Sequence, residues 1–229
     1  FDFAGAVPTA QAKELIGKYV GSLPAKGRSG VSQQALEIRP GEKEFVQTEE
    51  VKFSPKAEVD ILYHGRVDYD ARKAATLSYL SYILGERYFN VAREVRGGTY
   101  YVSVKESMRE TPYLYCYMNV KFSTNPEMAD DLMADVQTGF EDMATNGPTA
   151  QEVEEARKYF IKDNNEKSGK RLKNPNYWLG KLVTYDFTGR DLRDGDESVF
   201  GSVTPQDIRD AACEFLSQGN RFAPVTMQQ

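Results

Sequence analysis

Histidine, cysteine and long apolar runs are scarce in this chain. His64 is the only histidine among 229 residues, and the two cysteines, Cys116 and Cys213, form no CxxC pair. A zinc site needs three or four His, Cys or carboxylate ligands brought together, so the composition does not support one built from this chain alone. No apolar stretch approaches the ~20 residues needed to span a bilayer as a helix. Basic residues number 29 against 34 acidic ones, a formal net charge of -5. That balance argues against a nucleic-acid partner, because phosphate binding wants a basic surface. The one basic cluster, Lys167, Lys170, Arg171 and Lys173, reads as a solvated helix end. The chain opens Phe1-Asp2-Phe3 with no Met and no basic leader. It therefore reads as a fragment of a longer protein, and the absence of a targeting segment leaves the compartment open.

What is present is an alternation of strand and helix patterns. Phe1 to Val7 reads as a short strand, and Thr9 as the N-cap of a helix with an apolar stripe of Leu15, Ile16, Tyr19 and Val20. Residues 45–53 and 58–64 read as strands, the second with Val59, Ile61 and Tyr63 on one face. Asp70 caps a long helix whose Leu77, Leu80, Leu84, Tyr88, Val91 and Val95 recur at three- and four-residue steps. Residues 99–105 and 113–122 read as paired strands. The second alternates Tyr113, Tyr115, Tyr117 and Asn119 against Leu114, Cys116, Met118 and Val120, giving an apolar face and a tyrosine face.

Asn125-Pro126 opens a further helix that Asn146-Gly147-Pro148 ends. Thr149 with Glu152 forms a capping box for the next helix. Asn174-Pro175 starts another, with Trp178, Leu182 and Val183 as its apolar residues. Thr204-Pro205 starts the last, and Arg221 to Met227 is a final strand. Paired strands between helices predict an α+β fold, an antiparallel or mixed sheet covered by helices. No linker splits the chain, so residues 1–229 are expected to form one domain. Cys116 and Cys213 sit in apolar contexts and are expected to be buried free thiols.

The run Arg93-Glu94-Val95-Arg96-Gly97-Gly98-Thr99-Tyr100-Tyr101-Val102 is the most informative stretch. It joins the end of the long helix to a strand through two glycines, which allow a tight turn and the close approach of a second backbone. The glycines precede a strand and do not open a helix, so this is not a phosphate or dinucleotide loop. Arg93 offers a planar fork of donors for a carboxylate or backbone carbonyls. Tyr100 offers a hydroxyl that can donate to a developing oxyanion. Spacing alone leaves open that Arg93 pairs with a nearby acid and that Tyr100 is a packed strand residue. His64 reads as structural, and Glu152, Glu154 and Glu155 as charged surface near a helix N-terminus. The tyrosine face of residues 113–117 reads first as a plain half-exposed strand face; a peptide-facing wall, and strand addition of an extended peptide at the sheet's edge, are the alternatives.

The Arg93-Glu94-x-x-Gly97-Gly98-x-Tyr100-x-Val102 pattern follows a helix containing Ile83-Leu84-Gly85-Glu86-Arg87-Tyr88. Together with Phe1-x-Phe3-x-Gly5, the Lys18-Tyr19-Val20-Gly21-Ser22-Leu23-Pro24 helix end and Asn176-Tyr177-Trp178-Leu179, it resembles the C-terminal, non-metal-binding type of domain in the insulinase/pitrilysin family of zinc metallopeptidases. The resemblance implies an α+β unit that joins other domains or subunits in a clam-like chamber around a peptide substrate. It implies that zinc in the full-length enzyme is bound by an inverted His-x-x-Glu-His motif elsewhere, which one histidine cannot build. It further implies that Arg93 and Tyr100, with Gly97 and Gly98, form the substrate-binding junction, Tyr100 stabilising the oxyanion. A non-catalytic scaffold or peptide-binding subunit of the same family is the alternative. The bacterial character of the resemblance leans toward the periplasm or envelope.

Overall fold

Alternating burial along one central strand explains most of the architecture. The computed structural model describes residues 2–6, 8–24, 39–51, 54–95, 101–110, 114–190 and 197–228. Strand β2 (Ala57–Gly65) buries every second residue, Ala57, Val59, Ile61, Tyr63 and Gly65. Strand β4 (Tyr115–Thr124) does the same with Cys116, Met118, Val120, Phe122 and Thr124. The two pair antiparallel with those residues on the same face, Ile61 opposite Val120 and Tyr63 opposite Met118. A period of two on paired strands makes one face dry and leaves the other to solvent. Strands β1 (Glu42–Glu49), β3 (Val102–Arg109) and β5 (Arg221–Gln228) complete a five-stranded sheet in the order β1-β5-β2-β4-β3. Only the β1–β5 pair is parallel, so the sheet is mixed, as the sequence predicts.

Helices cover the dry face. Helix α2 (Ala71–Asn90) is capped by Asp70, whose carboxylate accepts from the Arg72 and Lys73 amides at 2.9 and 3.1 Å. It buries Leu77, Tyr79, Leu80, Ile83, Leu84 and Tyr88, each such side chain contributing roughly 1.5–3 kcal/mol. Helix α3 (Ala129–Asn146) buries Leu132, Met133, Val136, Phe140 and Met143, and Gly147 ends it at φ 73°. Helix α6 (Pro205–Ser217) begins in a reciprocal capping box between Thr204 and Asp207 and buries Ile208, Ala212 and Phe215. The sequence-predicted box of Thr149 and Glu152 opens α4 (Ala150–Arg171), with the Thr149 amide donating to Glu152 at 2.7 Å.

The chain divides into two compact units, residues 36–164 with 195–229, and residues 1–35 with 165–194. The first holds the sheet and its helices. The second holds α1 (Thr9–Tyr19), the tail of α4 and α5 (Pro175–Thr188), and neither α1 nor α5 buries a residue. In α5 the Asn174 side chain caps the helix by accepting from the Asn176 amide, and the Trp178 indole donates to the Leu172 carbonyl at 2.8 Å.

Several expectations need correction. Residues 2–6 are not a strand: two phenylalanines around Asp2 give an alternation too short to find a pairing partner. Helix α1 starts at Thr9, but its N-cap is Pro8, and no side chain caps it. Strand β1 lies at Glu42–Glu49 and is exposed throughout, shifted toward the N-terminus of the predicted span. Both thiols are free, but only Cys116 is buried; Cys213 stands one residue off the Ile208-Ala212-Phe215 stripe and is exposed.

At Gly139, α3 lies directly against the Tyr88 ring of α2. A Cβ there would come within 2.7 Å of the Tyr88 ring edge. Tyr88 is buried and its hydroxyl donates to the Val136 carbonyl at 2.9 Å, so the ring has nowhere to swing. Helix propensity alone favours Ala over Gly by about 1 kcal/mol, whereas overpacking a fixed core costs roughly 1–3 kcal/mol. Gly139→Ala is therefore expected to lower the thermal midpoint by a few degrees. A rise in the midpoint would show that Tyr88 yields.

Candidate substrate-binding junction

The end of α2 carries the first of the sequence-predicted residues. Beyond Asn90 the helix widens into one π-helical turn, Val91–Val95. Such a turn re-aims its side chains and is frequent at functional sites. Ala92 points inward and is buried, while Arg93 is exposed. The Arg93 guanidinium lies 5.6 Å from the centre of the Phe89 ring. That contact steadies the cation without using up its donors on a carboxylate. Val91 and Ala92 of the turn line a small open hollow together with Tyr88, Val102, Phe122, Asp135 and Val136. The turn thus stands on packed side chains from α2, α3, β3 and β4.

Gly97, Gly98 and Tyr100 lie outside the described residues, as do Arg96 and Thr99. The chain is described again from Tyr101, which is exposed, and enters β3 at Val102. Arg93 and Val102, the first residue of β3, thus lie on the two sides of the junction in sequence.

Sequence reasoning missed the ion cluster that anchors this helix end. Arg87 donates from Nε and Nη2 to the two carboxylate oxygens of Glu152, at 2.6 and 2.9 Å. Its Nη1 donates to Asp142 at 3.0 Å, and Nη2 also reaches the Gly147 carbonyl at 3.4 Å. One guanidinium thus ties the last turn of α2 to the end of α3 and the start of α4. The Arg87 fork and the Thr149 cap hold the Glu152 carboxyl down at about 2. The partners lie 55 and 65 residues from Arg87 in sequence, so no local pattern announces them.

The open face of the sheet carries the remaining candidates. Tyr115 and Tyr117 project from β4 with ring centres 5.9 Å apart, and His64 lies 6.1 Å from Tyr115. Burial pushes the His64 pKa below its ordinary value, which keeps the ring neutral near pH 7. No group of three or more His, Cys, Asp or Glu that could hold a metal occurs among the described residues. With one histidine, itself on a sheet face with its Nδ1 enclosed and unpartnered, the residues present do not fit a zinc centre.

Comparison with known proteins gives the family and the fold. The family model described as the peptidase M16 inactive domain matches residues 3–160. Among solved structures, the ferredoxin protease FusC, crystallised with Arabidopsis ferredoxin, aligns over 97% of this chain at 20% identity and TM-score 0.76. The periplasmic protease PqqL from Escherichia coli aligns over 98% at 17% identity and TM-score 0.73. A peptidase M16 inactive domain from Pseudomonas fluorescens aligns over 97% at 21% identity and TM-score 0.67. The chain spans 24% of FusC, 25% of PqqL and 52% of the Pseudomonas protein. A comparison with curated proteins finds no match. Matched by that model over residues 3–160, most of its length, the chain belongs to the peptidase M16 inactive-domain family.

Proposed function

We propose that this chain is the substrate-holding domain of a longer zinc metalloendopeptidase that hydrolyses peptides inside an enclosed chamber. Residues 1–229 act as one domain in this reading, its two compact units included; alignments over 97–98% of the chain support it. Other domains or subunits complete the chamber and supply the metal and the base, since this chain's own residues do not fit a metal. The periplasmic E. coli neighbour favours a bacterial envelope setting.

Arg93 anchors the substrate backbone by donating to its carbonyls, and Tyr100 donates its hydroxyl to the oxyanion of the tetrahedral intermediate. Gly97 and Gly98 let the peptide backbone come close. The observation that carries this reading is Arg93 itself. It is an exposed guanidinium on a π-helical turn, steadied by a ring, nine positions ahead of the edge strand β3 in the chain.

The test is equilibrium binding of a labelled substrate peptide to the full-length protein held inactive by loss of its metal. Arg93→Ala is expected to weaken binding about tenfold, the scale of one or two charge-assisted hydrogen bonds. Unchanged affinity would remove Arg93 from the site.

A further inference from the structure

A hollow of about 170 Å³ opens between helices α2 and α6. Met108 of β3 lines it and stands opposite the buried Cys116 in the sheet register, so the hollow lies on the helix-covered side, away from the tyrosine face. Its apolar lining is Val67, Leu77, Met108 and Phe215. An apolar cavity of about 150 Å³ holds one benzene molecule, so this volume suits a single aromatic ring. Phe215 and the Met108 thioether are good neighbours for one.

Thr76 adds one hydroxyl. The residue is 4% exposed and lines the hollow. Elsewhere in the chain, Thr145, Thr184 and Thr188 each donate to the carbonyl four residues back, at 2.8, 3.0 and 2.8 Å. Thr76 also sits inside a helix, yet its hydroxyl forms no hydrogen bond among the described residues. A buried hydroxyl without a partner is costly, and a polar ligand atom in the hollow supplies the partner.

The rim is negative. Arg72 is tied to Asp207 at 2.6 Å and to Ser202 at 3.1 Å. Lys73 comes no nearer to Glu214 than 3.7 Å. Asp210 forms no ion pair among the described residues, and its carboxylate takes one side-chain donor, the Gln206 amide at 2.7 Å. Asp210 and Glu214 are four residues apart on α6, which puts them on one face a turn apart. Three carboxylates thus face two cations around the hollow. We infer that this hollow binds a small primary aromatic amine. The ring lies on the apolar lining, the ammonium meets Asp210 and Glu214, and a polar ring substituent meets the Thr76 hydroxyl. The inference goes beyond the substrate-holding reading and stands without it, since none of these residues belongs to the junction.

Tyramine is the probe, titrated into this chain and followed by amide NMR shifts. It is expected to bind at roughly 0.1–1 mM, the scale open to about ten non-hydrogen atoms, and to move the amides of Thr76 and Ala211, which line the hollow. 4-Hydroxyphenylacetate has a carboxylate in place of the aminomethyl group and is expected to bind at least about tenfold less tightly. Asp210→Lys changes an exposed position and leaves the core untouched. It is expected to weaken tyramine at least about tenfold. Thr76→Val keeps the side-chain shape and should weaken tyramine about fivefold, while leaving phenethylamine, which lacks the ring hydroxyl, unchanged. No saturable shift at these amides, or equal affinity for the amine and the acid, would overturn the inference. So would tyramine binding that Asp210→Lys does not change, or an equal loss of the two amines in Thr76→Val.

Discussion

Arg87→Ala is expected to destabilise the domain by about 2–4 kcal/mol. The substitution removes a bidentate partner from Glu152, a second partner from Asp142 and a donor from the Gly147 carbonyl. Arg87 and Glu152 side chains are 23% and 26% exposed, so the pair is neither free in solvent nor fully buried. Exposed pairs are worth up to about 1 kcal/mol, and breaking a buried pair costs about 3–5 kcal/mol; this one belongs between. Arg87→Lys should recover only part of the loss, because an ammonium cannot reproduce the planar fork.

The same cluster sets an acid limit. Glu152 has its carboxyl lowered from 4.5 to about 2, first by the Arg87 hydrogen bonds. A depressed folded-state pKa gives stability that is fully present above the unfolded value and lost as pH falls toward the folded one. The Glu152 contribution should therefore vanish between about pH 4.5 and 2. Denaturant midpoints across that window should fall less steeply in Arg87→Ala than in the parent chain. A parallel pH dependence in the two would mean that other carboxylates govern acid unfolding. Because Arg87 sits in the last turn of α2, six residues before Arg93, loosening it should also loosen the π-helical turn.

The parts of the fold legible in the sequence are those whose neighbours are close in the chain or whose burial has a strict period. Asp70, Thr149 with Glu152, and Gly147 act within four residues, and each does what its residue type suggests. The alternation in β2 and β4 could be read because one face of each is fully buried. Periodicity shows that a face is apolar but not what covers it. The stripes of α1 and α5 are real in sequence, yet Leu15, Tyr19, Leu182 and Val183 remain exposed in this chain. Arg87 was invisible for the opposite reason: its chemistry is ordinary, and its importance comes from partners that only the fold brings near. At the junction, Arg93's position at a helix end was legible from the helix pattern and the two glycines. The π-helical turn that presents it was not, since nothing in the residues Val91 to Val95 distinguishes a widened turn from an ordinary one.

Tyr100→Phe is expected to have the largest effect on turnover. In the proposed role the hydroxyl donates to an oxygen that gains full negative charge only after attack on the substrate carbonyl. An interaction made only in the transition state lowers kcat and kcat/KM together when removed, with little change in KM. Losing one oxyanion donor typically costs about 10²–10³ in kcat. Phe keeps the ring, so the loss isolates the hydroxyl. Arg93, whose proposed role is to hold the ground-state peptide as well as the transition state, should instead act mainly on binding. This split separates a chemical contributor from a positioning residue within one junction.

The most direct measurement is therefore steady-state kinetics of the full-length protein carrying Tyr100→Phe, on a peptide that the parent protein cleaves. A fall in kcat of about a hundredfold or more with KM nearly unchanged is the result this account predicts. A kcat equal to that of the parent would contradict it, leaving the junction at most as a place where peptides are held.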